Sequence, residues 1–274
     1  MIPWQTSDGL KQSRPGSRSP LRVIHWQTSD GLKLAGYLAL PESRRMRALP
    51  GVVLCPGFPS AANGGSGAAE RLYPLADRIA QNMEWDALVL NYRGCGDSEG
   101  DFSLDGWADD MRSAVDHLDG LEQVEGVWLA GFGIGGALAA HVAQEDLRVR
   151  GVATMGAPVD FAHWGLDASG VVEYARSLGI ISAPDFPHSV ESWANAARSF
   201  RVDRCAAQIA PRPMLVLHGS DDREVSPLDA RAIADAHGDA GLRIISGAGH
   251  RLHSDPRCIA ILLGWLDSQI TLIP

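Results

Sequence analysis

Short apolar runs alternate with amphipathic segments along the chain from about residue 50 onward. The apolar runs include many β-branched residues, a pattern typical of strands that are covered on both faces of a sheet. They predict six strands, at residues 51–55, 86–92, 126–131, 149–155, 213–218 and 242–246. The segments between them predict helices at about 67–82, 105–119, 134–145, 227–237 and 254–269. This alternation predicts an α/β fold with a mostly parallel, doubly wound sheet and helical crossovers.

Two of the predicted helices begin at residues that can cap them. Asp105 and Ser226 each offer a side-chain oxygen to the free N–H groups of a first helical turn. Pro227 follows Ser226 at the first helical position, where a missing N–H is tolerated. We therefore expect Asp105 and Ser226 to be N-caps.

The chain before residue 50 has a different pattern. Two β-rich runs, at residues 21–28 and 32–40, flank the pair Asp30-Gly31. An Asp-Gly pair between two such runs favours a type I′ turn. The sequence therefore predicts an antiparallel hairpin ahead of the parallel strands.

An eight-residue sequence occurs twice near the beginning of the chain. Residues 26–33 lie in the predicted hairpin, and residues 4–11 repeat them ahead of a polar stretch with Pro and Gly. Such a stretch is typical of disorder, and two copies do not make a repeat architecture. We expect residues 1–20 to be a disordered tail, with a docked extra strand as the alternative, and residues 21–274 to form one domain.

Residues 157–210 interrupt the alternation of strands and helices. This stretch is rich in aromatic and small residues and predicts a compact, mostly helical insertion over the ends of the strands. We interpret it as a lid, and its aromatic residues suit an apolar pocket beneath it and core packing equally well. The aromatic residues that suggest this pocket are Trp164, Tyr174 and Trp193.

Charge and composition narrow the class of partner. The chain has 24 Lys and Arg against 33 Asp and Glu, a net charge of −9, which argues against nucleic acid or an anionic membrane as a partner. No apolar segment approaches the ~18 residues of a membrane span. The chain also lacks an apolar leader, so we expect a cytoplasmic protein. Oligomeric state has no signal in the sequence.

The four cysteines give no metal or redox signature. They are widely spaced, no Cys-x-x-Cys pair occurs, and reduced thiols are expected. We therefore predict no metal and no cofactor. The cysteines are Cys55, Cys95, Cys205 and Cys258.

The most informative motif is the sequence Gly-Phe-Gly-Ile-Gly at residues 131–135. An apolar strand enters this tight turn and a helix of small residues follows, the context in which a nucleophile elbow presents a serine. Here the middle residue is Gly133. Glycine relieves the backbone strain of such a turn. It has no atom that attacks a carbonyl, so an acyl-enzyme at this residue is excluded.

Together with four other stretches, this motif resembles the α/β-hydrolase family, in particular its serine-aminopeptidase and acyl-peptidase or esterase-like members. The resemblance covers about residues 21–270 and implies an α/β-hydrolase fold with the hairpin and a short helical lid. Pro56 stands where the family commonly has histidine. The stretches are Leu-Cys-Pro-Gly-Phe-Pro-Ser at 54–60, Asn-Tyr-Arg-Gly-Cys-Gly-Asp-Ser-Glu-Gly at 91–100, His-Gly-Ser-Asp-Asp at 218–222 and Gly-Ala-Gly-His at 247–250.

Asp222 and His250 are the predicted acid and base. Each lies in a loop after a predicted strand, where open α/β sheets place their sites. A carboxylate on one ring nitrogen fixes the tautomer of a histidine and supports its protonated form. The spacing favours this pair over the neighbouring Asp221 and His253. We expect structural roles for the remaining candidates, which are His25, His141 and His218.

The predicted oxyanion hole consists of the backbone N–H groups of Phe58 and Ile134. Ile134 follows the elbow residue, and Phe58 follows Gly57 in the loop after the strand at 51–55. Backbone donors need no particular side chain. The hole can therefore persist without the serine.

Three residues are weaker candidates for a surrogate nucleophile. Ser98 lies in a Gly-x-Ser-x-Gly sequence at 96–100, but no helix of small residues follows it at once. Cys95 and Cys55 lie near the same edge of the predicted sheet. Buried, inert thiols are the more common case.

These motifs predict a hydrolase-like protein of the esterase or peptidase type that is degenerate for acyl-enzyme catalysis. The expected partner is a small acyl or peptidic molecule. Three alternatives stay open: an enzyme that uses the His250–Asp222 base without a serine, as a lyase or by activating water; an esterase or peptidase altered at residue 133; and a non-catalytic binding protein.

Overall fold

Eight strands form one sheet in the computed structural model, which describes residues 23–42, 48–60 and 65–270. Their order across the sheet is β1-β2-β4-β3-β5-β6-β7-β8, antiparallel from β1 to β4 and parallel from there on. The predicted strands and hairpin are confirmed, and the predicted tail lies outside the described residues. The strands are β1 (Val23–Gln27), β2 (Lys33–Ala39), β3 (Leu49–Cys55), β4 (Asp86–Asn91), β5 (Val124–Phe132), β6 (Val149–Met155), β7 (Met214–Gly219) and β8 (Gly241–Ile245).

Helices cover both faces of this sheet, as the doubly wound architecture requires. Helices α1 and α9 pack on one face, and α2, α3, α7 and α8 pack on the other. No helix of the described residues has the length and apolar character needed to cross a membrane. The helices are α1 (Tyr73–Met83), α2 (Leu104–Asp119), α3 (Ile134–Glu145), α4 (Ala162–Leu166), α5 (Ala168–Ser177), α6 (Val190–Ser199), α7 (Val202–Ile209), α8 (Pro227–His237) and α9 (Pro256–Gln269).

The strands alternate their side chains between two apolar layers. Val53 belongs to the cluster under α2 and α3, whereas Val52 and Leu54 belong to the cluster under α1 and α9. All three side chains are fully buried. Because both faces are covered, these strands are apolar throughout rather than alternating.

The hairpin turn differs from the predicted type I′ turn. The N–H of Gly31 donates to the carbonyl of Thr28 at 3.0 Å, and that of Thr28 donates to the carbonyl of Leu32 at 2.9 Å. Gly31 has φ +87°, but Asp30 does not have the positive φ that a type I′ turn requires at both central residues. The loop is longer than two residues, so one left-handed residue is enough to close it.

One of the two predicted helix caps is also wrong. Ser226 caps α8 as predicted and accepts the N–H of Leu228 at 3.2 Å. The cap of α2, however, is Ser103, whose hydroxyl accepts the N–H of Gly106 at 3.0 Å. Asp105 is the second residue of α2 and lies in its first turn, where its negative charge interacts favourably with the helix dipole.

The predicted insertion at 157–210 contains four helices. Helices α4, α5 and α6 pack against one another, whereas α7 packs against α3 and α8 beside the sheet. The segment after α5 docks onto the loop that follows β4. There Asp101 accepts the N–H groups of Ser182 at 2.5 Å and Ala183 at 3.1 Å, and Phe102 donates to the carbonyl of Ile180 at 2.9 Å.

A buried ion pair holds the start of this loop against α2. The Asp110 side chain is fully buried and lies 2.7 Å from a terminal nitrogen of Arg93, whose Nε and backbone N–H also donate to it. Burial raises the pKa of Asp110 to about 6, although Arg93 opposes the shift. Arg93 also pairs with the exposed Asp30 of the hairpin turn at 3.1 Å.

We predict that Asp110→Asn lowers the free energy of unfolding by about 3–5 kcal/mol, because it removes the buried counterion of Arg93 and leaves the exposed Asp30 carboxylate to balance that charge. Urea unfolding followed by circular dichroism measures the change. The matched control is Asp109→Asn, since Asp109 is exposed and, among the residues that the structure describes, pairs with Arg112 on the surface. That change is expected to cost less than about 1 kcal/mol. Equal effects of the two variants would contradict the prediction.

Candidate active site

The turn between β5 and α3 has the geometry of the predicted elbow. Gly133 has φ 53° and ψ −123°, and its N–H donates to the carbonyl of Met155 at 2.8 Å. A Cβ on Gly131 would lie 2.2 Å from the carbonyl oxygen of Gly135. The glycine at residue 131 therefore lets β5 and α3 approach more closely than a side chain there would allow.

The predicted acid and base form a hydrogen-bonded pair. Nδ1 of His250 lies 2.8 Å from Oδ2 of Asp222. The Asp222 side chain is fully buried, and its other oxygen accepts the N–H groups of Glu224 at 2.9 Å and Val225 at 3.0 Å. Asp222 follows β7 and His250 follows β8, so the carboxyl ends of adjacent parallel strands bring the two together.

The base is aligned with the residue that lacks a side chain. A Cβ placed on Gly133 would lie 3.4 Å from Nε2 of His250 and 3.9 Å from Cα of Gly57. A hydroxyl on that Cβ would come within hydrogen-bonding reach of Nε2. The histidine therefore has the position that a general base takes toward an elbow nucleophile.

The two predicted oxyanion-hole residues border the same space. Ile134 is the first residue of α3, and Phe58 lies just beyond the end of β3. Both line a cavity together with Gly57, Gly133 and His250. Backbone N–H groups in the first turn of a helix have no partner within the helix, so Ile134 can donate to a ligand.

The cavity over the elbow has a volume of about 660 Å³, within the range of small-molecule sites. Its aromatic wall is supplied largely by the lid, and its rim carries charged groups and histidines. Trp193 does not line it but packs behind Trp164, with ring centres 6.2 Å apart. The aromatic lining residues are Phe58, Phe132, Phe161, Trp164 and Tyr174, and the charged and histidine residues are Arg71, Asp160, His163, Glu224, Asp229, Arg251 and His253.

Comparison with known proteins agrees with the fold. The profile of a family described as the alpha/beta hydrolase fold matches residues 50–177. GrgF, an alpha/beta hydrolase from Penicillium sp. sh18, superimposes with a TM-score of 0.71 at 18% identity, over 93% of this chain and 100% of that one. This chain has the α/β-hydrolase fold.

Two further structural neighbours are similarly distant in sequence. A hypothetical protein from Pseudomonas aeruginosa gives a TM-score of 0.70 at 19% identity, over 98% of this chain and 99% of that one. Est1E from Butyrivibrio proteoclasticus, with ferulic acid bound, gives a TM-score of 0.64 at 20% identity, over 90% of this chain and 98% of that one. Comparison with curated proteins gives no significant match. At these identities the likeness concerns the fold.

The structure places His218 beside the acid, a contact that sequence reasoning missed. His218 lies on β7 as predicted, and its side chain is fully buried. Its Nε2 is 3.2 Å from Oδ2 of Asp222 and 3.1 Å from the carbonyl of Val225. Both neighbours are acceptors, so Nε2 carries the proton and donates. The spacing His-Gly-x-x-Asp was the available signal for this contact.

Hydrogen bonds decide the charge states of the acid–base pair. Burial favours a higher pKa for Asp222, but donors from His218, His250, Val225 and Glu224 outweigh it and hold that pKa well below its usual range. Burial lowers the pKa of His250, but the hydrogen bond and charge of Asp222, together with the Glu224 carboxylate, raise it overall above 6.5. Asp222 is therefore an anion, and His250 gains a proton more readily than a free histidine.

Glu224 was also missed by sequence reasoning. Its Oε2 lies 3.9 Å from Nε2 of His250, too far for a hydrogen bond, and its side chain is 71% exposed. It therefore acts on His250 through charge. Because it is an exposed loop residue after β7, no periodicity in the sequence indicates its orientation.

Ser98, the surrogate that matches the serine motif, has a different environment. Its hydroxyl donates to the carbonyl of Asn91 at 2.8 Å and accepts the N–H of Ala35 at 2.9 Å. Ser98 is buried and is not among the described residues that line the cavity. Its hydroxyl thus ties the loop after β4 to β2.

The candidate thiols are buried and outside the described lining of the cavity. Burial raises the pKa of Cys95 to about 12, with the charge of Asp110 acting in the same direction. Burial likewise raises the pKa of Cys55. Thiols held in this way are poor nucleophiles because the thiolate is the reactive form. The described residues contain no group of His, Cys, Asp and Glu suited to a metal ion.

We predict opposite pKa shifts for two histidines on one loop, measurable by NMR titration of the wild-type protein. His250 should titrate above 6.5, and Glu224→Gln should lower its pKa by removing a neighbouring negative charge. His253 should titrate below 6.5, because burial and the charges of Arg71, Arg251 and His250 all act against its protonated form. A His250 that titrates below His253 would contradict the geometry.

Proposed function

We propose that this protein is an esterase-type α/β-hydrolase that has lost acyl-enzyme catalysis and retains a cavity for a small acyl or peptidic ligand. The observation that carries the proposal is the 3.4 Å between Nε2 of His250 and a Cβ position on Gly133. The base, its acid and the backbone donors surround a nucleophile position that holds no hydroxyl. Acyl transfer at residue 133 therefore has no attacking atom.

The esterase subtype is favoured by the nature of the cavity. Its aromatic wall suits an apolar or aromatic acyl group, and the ring of Phe58 lies 5.2 Å from that of Trp164. Est1E, a structural neighbour, is known with ferulic acid bound. The esterase domain of a Rhodothermus marinus protein has the same fold, with a TM-score of 0.65. These likenesses support the proposal by analogy of fold alone.

Among the described residues, the serines that line the cavity are Ser60 and Ser226. The Ser226 hydroxyl is engaged as the N-cap of α8. Ser60 follows β3 and does not belong to the turn between β5 and α3. A fluorophosphonate probe followed by mass spectrometry distinguishes them, because labelling of either serine in the wild-type protein would contradict the proposal.

A second function is favoured by the orientation of His250. Its Nε2 faces the space above Gly133 while Nδ1 is held by Asp222, so the ring can accept a proton from water or from a substrate. A lyase or water-activating enzyme would use it in this way. That function requires wild-type turnover that His250→Ala abolishes and Ser98→Ala preserves.

We predict that Gly133→Ser creates esterase activity toward p-nitrophenyl esters, with kcat/KM at least about 100-fold above the wild type. The added hydroxyl completes the array of base, acid and oxyanion donors. The matched control is Gly133→Ala, which introduces the same Cβ without a nucleophile and should give no gain. Gly133→Ser combined with His250→Gln should also give none.

The same variants report the backbone strain at the elbow. Because φ at residue 133 is positive, Ser and Ala should each lower the free energy of unfolding by about 1–3 kcal/mol. Equal losses in urea unfolding show that strain, not the hydroxyl, is responsible. Esterase turnover by the wild type comparable with that of Gly133→Ser would refute the proposed loss of acyl-enzyme catalysis.

A further inference from the structure

We infer that the space above Gly133 is a carboxylate site, and that the ligand of this protein is an apolar or aromatic carboxylic acid in its ionised form. The inference rests on the proposed function, in which the cavity binds and does not form an acyl-enzyme. It specifies the chemical class of the ligand and the group that recognises its charge.

Room for a carboxylate oxygen exists where a serine hydroxyl would otherwise stand. The nearest heavy atoms to a Cβ position on Gly133 are Nε2 and Cε1 of His250 at 3.4 and 3.8 Å, and Cα of Gly57 at 3.9 Å. These are ordinary van der Waals distances for one carbon atom. With no side chain at residue 133, that volume is open to a ligand atom that reaches Nε2.

The groups around this volume favour an anion. Nδ1 of His250 is bound to Asp222, and among the described residues Nε2 has no hydrogen-bond partner of its own. In the protonated ring, Nε2 is a charged donor directed at the open volume. Ile134 and Phe58 line the same cavity, and the N–H of Ile134, in the first turn of α3, has no partner within the helix and offers a neutral donor. A carboxylate can use both, one oxygen toward each set, whereas an ester or an amide offers neither the charge nor two equivalent acceptors.

The charged and histidine residues around His250 come from several parts of the fold. Asp222 and Glu224, from the loop after β7, stabilise its protonated form, and His218 of β7 acts on it only through Asp222. Arg251 and His253, on its own loop, and Arg71, at the end of the 3-10 helix Gly65–Leu72, border the same cavity. The remaining charged or histidine residues that border it are Asp160 and His163 of the lid and Asp229 of α8.

Asp229 and Asp160 already accept hydrogen bonds from the backbone, and Glu224 can be displaced from His250 by a ligand. Asp229 accepts the N–H of Val159 at 3.0 Å, and Asp160 accepts that of Ala162 at 3.0 Å. Glu224 is 71% exposed and lies beyond hydrogen-bonding distance from His250, so a ligand carboxylate can take the closer position at Nε2. A ligand carboxylate and Glu224 therefore compete for the charge of protonated His250, and a ligand hydrogen-bonded to Nε2 would lie closer than the 3.9 Å of Glu224.

The tail of such a ligand has an apolar surface directly beside the donors. Phe58 lines the cavity, and its ring belongs to the aromatic wall, 5.2 Å from Trp164 and 6.2 Å from Tyr174. An acid whose apolar group begins one or two bonds from the carboxylate fits both contacts at once. The site thus favours compact aromatic acids over long polar ones.

Isothermal titration calorimetry with trans-cinnamate, cinnamamide and methyl cinnamate tests the inference on the wild-type protein. At pH 6 cinnamate should bind at least about tenfold more tightly than the amide or the ester, as a charge-assisted hydrogen bond requires. The preference should disappear by pH 9, because His250 loses its proton as the pH rises through its pKa. Octanoate serves as the non-aromatic acid, and we expect it to bind more weakly than cinnamate.

Three variants locate the charged donor. His250→Gln removes the charge at similar size and should abolish the preference for the acid, whereas His188→Gln, at an exposed histidine outside the described lining of the cavity, should retain it. Gly133→Ala fills the open volume with a methyl group and should weaken cinnamate binding at least tenfold, without creating a nucleophile.

The outcomes separate this inference from the proposed function. Equal binding of acid and amide, a pH-independent preference, or no binding of either acid at millimolar concentration would overturn the carboxylate site. Binding of the ester or the amide alone would still leave a ligand cavity. Turnover of methyl cinnamate by the wild type would instead refute the proposed loss of catalysis, whichever compound binds best.

Discussion

The burial of one carboxylate, that of Asp222, organises the carboxyl-terminal edge of the sheet around the site. An ionised carboxylate withdrawn from water is stable only if donors replace the lost hydration. Here the donors are two histidine rings and two backbone N–H groups, from β7, from the loop that follows it and from the loop that follows β8. The loop conformations and the orientation of His250 both follow from satisfying this one charge.

The same dependence explains why the base is in place although the usual nucleophile is absent. Nothing in the contact between His250 and Asp222 involves residue 133, so removal of a side chain there leaves the ring oriented. The elbow is likewise maintained by backbone contacts, among them the Gly133 N–H to Met155. An α/β-hydrolase site is therefore modular, and its acid–base pair and its nucleophile are held by different interactions.

Local patterns in the sequence predicted the features that depend on local geometry. The elbow was predictable because glycine spacing between an apolar run and a helix of small residues has few other uses. Asp222 and His250 were predictable because each closely follows a strand. The spacing His-Gly-x-x-Asp brings His218 near Asp222 along the chain, but the contact itself also depends on which way a buried strand residue faces. Ser103 and Asp105 compete for one cap, and only the backbone path into α2 decides between them. The type I′ turn failed for the same reason, since the loop path leaves Asp30 at negative φ.

The positive φ at Gly133 also has a consequence for how the protein tolerates sequence change. At this residue the requirements of catalysis and of folding oppose each other, because any side chain that performs chemistry must adopt a backbone conformation that favours glycine. A change from serine to glycine at this residue removes activity but raises the stability of the fold, so only the loss of activity selects against it. The reverse change must overcome a loss of stability before any activity can be gained. The elbow is thus a point at which a chain of this fold passes more readily out of acyl-transfer chemistry than into it.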